Sequence, residues 1–306
     1  MRRFVASGIL GVVLSVGGCA TTYDEKLNTK LEATGSETEA SQAASLMAEG
    51  DVLWAERLDE GKLKEALTKW EQAIKLTPSA ELATKLARGH YLLGDGHYGL
   101  ADKTDARDSE YQLGLDWANE ALKLSAPEYA AAKVAGKPHS EAIRLAPKEA
   151  VPAMYWYATN LGKWAAGKGL VTRLKYKDAL FATMTQVKAL DEAFFYAAAW
   201  RYFGSYEAVA SGIAGGDLGL SKSNFEKAIA LAPSYLGTKV LFADLYCPKM
   251  QKDDDGDGEP DGKKLFKQLL DEVIAADPSV DAAIAPENQL EQRKAKKLLA
   301  KIDELF

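Results

Sequence analysis

Five aspartates crowd one short stretch of this chain, KDDDGDGEPDGKK at residues 252–264, and four of them, Asp253, Asp255, Asp257 and Asp261, are spaced to share a ligand. Asp253, Asp255 and Asp257 alternate, and Gly258 follows directly. Alternate carboxylates in a tight turn converge their oxygens on one hard cation, and glycine permits the sharp turn this needs. Carboxylates so close repel one another unless a cation or water lies between them. The expected ligand is a structural calcium ion held by Asp253, Asp255, Asp257 and Asp261, with the Glu259 carbonyl available beside them. An EF-hand places a bidentate glutamate at its twelfth position; here that position is Lys264, so an EF-hand is excluded. A solvated acidic turn is the alternative.

The second group with chemical potential is aromatic. Residues 155–157 read Tyr-Trp-Tyr, with Trp164 further along the same expected helix; Phe194, Phe195, Tyr196, Trp200, Tyr202 and Phe203 share another. Consecutive aromatics face all sides of a helix, so some are free to line a groove. Trp156, Trp164, Phe195 and Trp200 are the candidates for contact with an apolar or organic-acid solute. Plain packing between helices is the alternative, because helical repeats need bulky plugs. Catalytic sets are missing. His90, His97 and His139 form no H-E-x-x-H motif, no G-x-S-x-G elbow occurs, and the glycines at 211–219 lack the phosphate-loop signature, so no enzyme is expected.

The remaining chemistry is at the N-terminus. Arg2 and Arg3 precede an apolar run at residues 4–16, and Gly17-Gly18-Cys19 follows. The run is shorter than the ~20 residues a membrane span requires. It reads as a cleaved signal peptide, residues 1–18, with Cys19 first in the mature chain. The pattern resembles the lipobox of bacterial lipoproteins. That implies diacylglycerol on the Cys19 sulfur and a third, palmitate-like chain on the freed amine. Several chains anchor stably where one is marginal. In many Gram-negative lipoproteins an Asp after the cysteine retains the protein at the inner membrane. Ala20 in that place resembles an outer-membrane address, so the expected location is the periplasm, tethered to the outer membrane.

These residues must be positioned by helices. Net charge is −6 with no basic stripe, which argues against a nucleic-acid partner. With Cys19 committed to lipid, Cys247 is left alone and no intramolecular disulfide can form; burial as a small apolar residue is expected. Residues 19–42 are polar and read as a lipidated tether that holds the body off the membrane. From residue 43 to 306 alanine and leucine recur at spacings of three and four, which is helical. Ala66, Trp70 and Ala73 sit at i, i+4 and i+7 with Pro78 following. Ser221, Phe225 and Ala228 precede Pro233 in the same way, and Phe266, Leu270 and Val273 precede Pro278. Leu180, Met184 and Val187, and more weakly Gly114, Ala118 and Ala121, repeat the spacing. One helix face carries all three positions; small flanking residues admit a neighbouring helix, the middle residue plugs the gap, and proline ends the helix. This is the second-helix signature of a tetratricopeptide (TPR) repeat. The fold expected is all-α, with degenerate TPR-like helix pairs in a curved or closed array. The anchors at 78, 127, 192, 233 and 278 are spaced more widely than the ~34-residue TPR period, so insertions are expected, and a plain helical bundle is the alternative.

Two stretches narrow the reading further: GSYEAVASGIAGGDLGLSKSNFEKAIALAPSYLGTKVLFADLY at 204–246, and APENQLEQRKAKKLLAKIDELF at 285–306. Both resemble the TatT component of tripartite ATP-independent periplasmic (TRAP) transporters. The shared features are the Gly215-Gly216-Asp217 loop, the helix from Phe225 to Pro233, and the closing helix from Ala295 to Phe306. The resemblance implies a lipid-anchored, TPR-like periplasmic protein that docks a TRAP-type solute-binding protein and assists solute uptake. It also implies a homotrimer with an apolar opening through each subunit. The acidic stretch at 252–264 departs from that family and resembles instead the calcium loops of thrombospondin type 3 and dockerin-like repeats. A general TPR adaptor for envelope protein assembly, without a small ligand, is the competing function.

Overall fold

The computed structural model describes residues 20–23, 36–211, 215–254, 256 and 258–306. The expected signal peptide, Cys19, Asp255 and Asp257 lie outside the described residues. Among those described there are fourteen α-helices and no strand, as the periodicity requires. In chain order they are α1 (Glu37–Ala55), α2 (Glu60–Leu76), α3 (Ala80–Leu92), α4 (Thr104–Ser125), α5 (Pro127–Val134), α6 (His139–Ala142) and α7 (Val151–Gly167). Then come α8 (Leu170–Leu190), α9 (Phe194–Ala210), α10 (Leu218–Leu231), α11 (Gly237–Leu245), α12 (Asp261–Ala275), α13 (Ala285–Leu299) and α14 (Ile302–Leu305). No helix of the described residues is long and apolar enough to cross a membrane.

Helices pack on their sequence neighbours: α1 on α2, α3 on α4, α7 on α8, α9 on α10 and α11 on α12. The expected plugs lie where the spacing puts them. Trp70, Phe225, Leu270 and Met184 are buried on α2, α10, α12 and α8, and their i−4 and i+3 partners are buried with them, save the half-buried Leu180. Gly204 of α9 shows why small residues matter: a methyl group there would stand 2.8 Å from the Phe225 ring. Gly114 of α4 likewise faces the Asn160 side chain of α7, 2.4 Å from where its Cβ would be. A uniform TPR period is not seen. α4 packs on α7 across the short helices at 127–150, and α3 runs on into a wide π-helical turn, Leu93–Tyr98.

The N-terminal boundary differs from expectation. α1 begins at Glu37, inside the supposed tether. Ser36 and Glu39 form a capping box, the Ser36 side chain accepting from the Glu39 N–H and the Glu39 side chain accepting from the Ser36 N–H. The helix shows no apolar period because only Ala43 and Gly50 are buried along it. Residues 20–23 also belong to the body. The Tyr23 N–H donates to Tyr176 Oη at 2.6 Å, and its ring stands edge-on to Trp164.

Two cores result. The larger runs from Ala43 to Ala199 and takes in Leu290; the smaller runs from Ala208 to Ala295. α13 contributes to both.

Candidate functional site

The site is where the cores meet, and it is built on α9. That helix opens with an irregularity: Phe195, Tyr196 and Ala197 take φ of 43°, 60° and 57°. Three successive non-glycine residues in the left-handed region cost of order 1–3 kcal/mol each, and persist only where surroundings over-determine them. Here the determinant is Arg201, one turn on. Its guanidinium donates to the Tyr196 carbonyl at 2.9 Å and the Phe195 carbonyl at 3.4 Å. It also donates to Tyr155 Oη at 3.3 Å and Thr238 Oγ1 at 3.4 Å, and lies over the Tyr235 ring, 4.3 Å from its centroid.

Arg201 is buried, yet no carboxylate among the described residues pairs with it. Burial works against its charge, but the oxygens of Tyr155 and Tyr235 outweigh burial and hold its pKa above the usual value. Isolated buried charge is costly, so neutral dipoles and ring faces must supply what an acid normally would.

Aromatic rings extend outward from this centre. Phe195 touches Tyr155, Trp156, Tyr196 and Tyr235 with centroids 5.0–5.8 Å apart. Tyr196 stacks on Tyr235 and donates to Asp281 Oδ2 at 2.7 Å; burial first and then this bond push its phenol up to about 12. On the far side the Arg88 guanidinium lies between Phe195 and Trp54, 5.2 and 4.9 Å from their centroids.

α13 closes the arrangement through ions. Glu287 pairs with Arg57 at 2.7 Å and Arg88 at 2.7 Å, all between segments some 200 residues apart in sequence. Asp95, in the π-helical turn, takes Lys163 at 2.6 Å, Tyr111 Oη at 2.9 Å and Lys294. Burial alone would raise the Asp95 pKa, but Lys163 and Lys294 drive it far below the carboxylate range.

The four aromatic candidates divide. Trp156 and Phe195 belong to the centre, in mutual contact at 5.0 Å. Trp164 lies apart, buried between Tyr23 and Tyr176. Trp200 is at the surface side of α9, with Lys188 Nζ 3.3 Å from its ring centroid and its own N–H on Glu192. Trp156 and Trp164 stand two turns apart on α7, about 12 Å along its axis, and Phe195 lies in the left-handed turn while Trp200 follows on regular helix, so one groove does not contain all four. The residues that organise the centre, Arg201, Tyr235 and Arg88, carry one readable signal: Arg201 is the lone charge in the apolar run FFYAAAWRYF.

Of the four expected ligands in the acidic loop, Asp253 and Asp261 are described. Asp253 accepts from the N–H groups of Gly256 and Gly258, both at 2.8 Å, and Asp261 accepts from Asp254 N–H at 3.3 Å and pairs with Lys264 at 3.6 Å. Gly256 and Gly258 have φ of 75° and 95°, as the expected sharp turn requires. No cluster of potential metal ligands occurs among the described residues. The histidines serve packing: His90 bonds Glu110 at 2.7 Å, and His139 lies between Tyr129 and Thr183. Cys247 is buried and unpaired, its thiol pushed up to about 12 by burial.

A comparison with curated proteins returns no match. A family model described as TRAP transporter T-component matches residues 83–306, from within α3 to the end of the chain, which takes in Arg201, Tyr235, Tyr155, Trp156 and Phe195 but not Trp54 or Arg57. The chain therefore belongs to the T-component family of TRAP transporters.

Proposed function

We propose that this protein is a lipid-anchored periplasmic accessory that docks the solute-binding protein of a TRAP transporter and assists uptake. The observation that carries this is the family match over residues 83–306, joined to a centre in which a buried arginine without an acid holds a left-handed turn amid aromatic rings. The family is one of transporter accessories, not of enzymes. Association with the cell envelope follows from it, and the expected lipid on Cys19 would supply the attachment.

Within this reading, Arg201, Trp156 and Phe195 form the part of the body that answers to an organic-acid or apolar solute. The acidic loop adds a structural calcium ion where α12 begins, at Asp253, Asp255, Asp257 and Asp261. Calorimetric titration of calcium into the wild type and into the Asp255→Asn, Asp257→Asn double variant tests the loop; equal heats remove the ion from the account. The partnership is tested by cross-linking in cells and co-purifying the detergent-solubilised protein. Enrichment of a TRAP-type solute-binding protein is expected. Its consistent absence would favour a general adaptor for envelope assembly.

A further inference from the structure

Residues 20–23 do not run free from the body. The Thr21 N–H donates to Thr172 Oγ1 at 3.1 Å, and Lys175 donates to Thr22 Oγ1. The Tyr23 hydroxyl bonds the Asp116 carboxylate and takes the Asn119 amide at 3.1 Å. The segment is thus fastened to α4 and α8, with Trp164 of α7 against its ring. Thr21 and Thr22 therefore stand against the first turns of α8, and only Ala20 separates Thr21 from Cys19 in the sequence.

That part of α8 is unusual for a protein surface. Every residue from 167 to 175 is exposed except Thr172. Leu170, Val171 and Leu174 are 50%, 45% and 48% exposed. In a chain of net charge −6, residues 168–177 read KGLVTRLKYK, four basic residues and no acid. Intrahelical stability does not account for this. α8 has no acidic residue in its first turn and no side-chain cap, whereas basic groups there oppose the helix dipole. α1, α2, α3 and α10 all begin on a capping Ser or Asp.

Exposed apolar side chains flanked by Arg and Lys fit the boundary layer of an anionic bilayer. The aliphatic groups enter the acyl boundary, and the cations meet lipid phosphates at ~1 kcal/mol each. We propose that Leu170, Val171 and Leu174, with Arg173, Lys175 and Lys177, rest on an anionic phospholipid surface beside the acyl chains of Cys19. The contact fixes which face of the body looks away from the membrane. It replaces the spacer expected from the sequence: the lipid emerges at the body, not at the end of a long tether.

The proposal rests on lipidation of Cys19, and its test separates the two. The lipidated full chain is reconstituted in phosphatidylethanolamine–phosphatidylglycerol vesicles with an environment-sensitive fluorophore at Leu174→Cys or, for comparison, at Val280→Cys on the α12–α13 connection. Cys247 is buried and will not compete for label. Spin-labelled phospholipid is expected to quench the probe at 174 and spare the one at 280. Reversing charge with Arg173→Glu and Lys175→Glu should lower quenching at 174 about twofold or more, with circular dichroism unchanged. Mass spectrometry of the same sample reads the lipid on Cys19. An unlipidated chain removes the anchor and the proposal with it. A lipidated chain whose probe at 174 is no more quenched than that at 280, or is indifferent to charge reversal, overturns the surface and leaves the anchor standing.

Discussion

The smaller core is held by hydrocarbon with a few neutral polar bonds, Ser221 Oγ to the Gly204 carbonyl at 2.7 Å and Leu236 N–H to Asn288 Oδ1 at 3.1 Å; the larger one adds ion pairs between segments distant in sequence. In the smaller, Phe225 stacks on Phe242 at 4.9 Å, Tyr246 follows at 5.0 Å, and Phe266 meets Phe306 at 5.5 Å. In the larger, His90, Asp116, Asn160 and Thr183 are buried among the apolar side chains, and Glu287 and Lys294 arrive from α13 as ions. Helices that pack only on sequence neighbours find each other by apolar fit. Segments distant in sequence must also meet in one register, and charge in a dry interface is unforgiving of misplacement.

The comparison can be broken in four ways. Phe225→Ala in the smaller core and Trp70→Ala in the larger should each cost ~3–5 kcal/mol in chemical denaturation, since both plugs are fully buried; a cost below ~0.5 kcal/mol in either would place that plug outside a working core. Glu287→Gln should cost about 2–3 kcal/mol by leaving Arg57 and Arg88 without their acid. Replacing Arg57 and Glu287 together by Met and Leu should cost less, because the buried Arg57 is then not orphaned and only the partly exposed Arg88 loses its acid. If the double replacement costs more than Glu287→Gln, the pair contributes stability and not only register.

Two histidines, both in the larger core, give the third test, and they act with opposite sign. His90 is raised despite burial, by its bonds to Glu110 and Glu71, so its contribution is full below its unfolded value and is lost as pH rises through the folded one. His139 is lowered by burial to about 4. Its contribution is present above the ordinary value of ~6.5 and is lost as pH falls towards 4, about 1–2 kcal/mol between pH 7 and 5. Melting temperatures across pH should therefore fall less on acidification for His139→Gln than for wild type, and fall less on the alkaline side for His90→Gln. The smallest effect concerns caps. Ser79→Ala on α3 and Asp217→Ala on α10 should each cost ~1 kcal/mol, because both side chains accept a first-turn N–H, at 3.1 and 3.0 Å. Equal losses would show that the two cores differ in closure and not in local helix chemistry.

What the sequence made legible follows the same division. Ala66–Trp70–Ala73 and Ser221–Phe225–Ala228 were visible because a helix face imposes its period on the chain. The ionic clasp of α13 has no period: nothing in the residues around Arg57 announces a partner 230 positions away. α1 hid itself because only the small Ala43 and Gly50 are fully buried on it, Leu46, Met47 and Trp54 being partly so, and its capping box Ser36–Glu39 lay inside a stretch read as polar tether. The left-handed turn at 195–197 defeats propensity outright, since those residues are Phe, Tyr and Ala. It is also why Phe195 reached the centre while Trp200, one turn further along α9, did not. The acidic loop was legible as a turn, and its glycines have the positive φ a turn demands.

The clasp also has a cost in time. Arg57, Arg88 and Asp95 find their charges on residues 287 and 294, across separations of 230 and 199 positions. Closing so long a loop comes late, because its entropy must be paid before the contact rewards it. A chain that crosses a membrane N-terminus first would present the early helices to the far side with two arginines unmatched, and Asp95 paired with Lys163 alone, until α13 emerged. During that interval the first half is a folding intermediate with its polar seam open, and it is then that a holdase chaperone, or aggregation, has access to it.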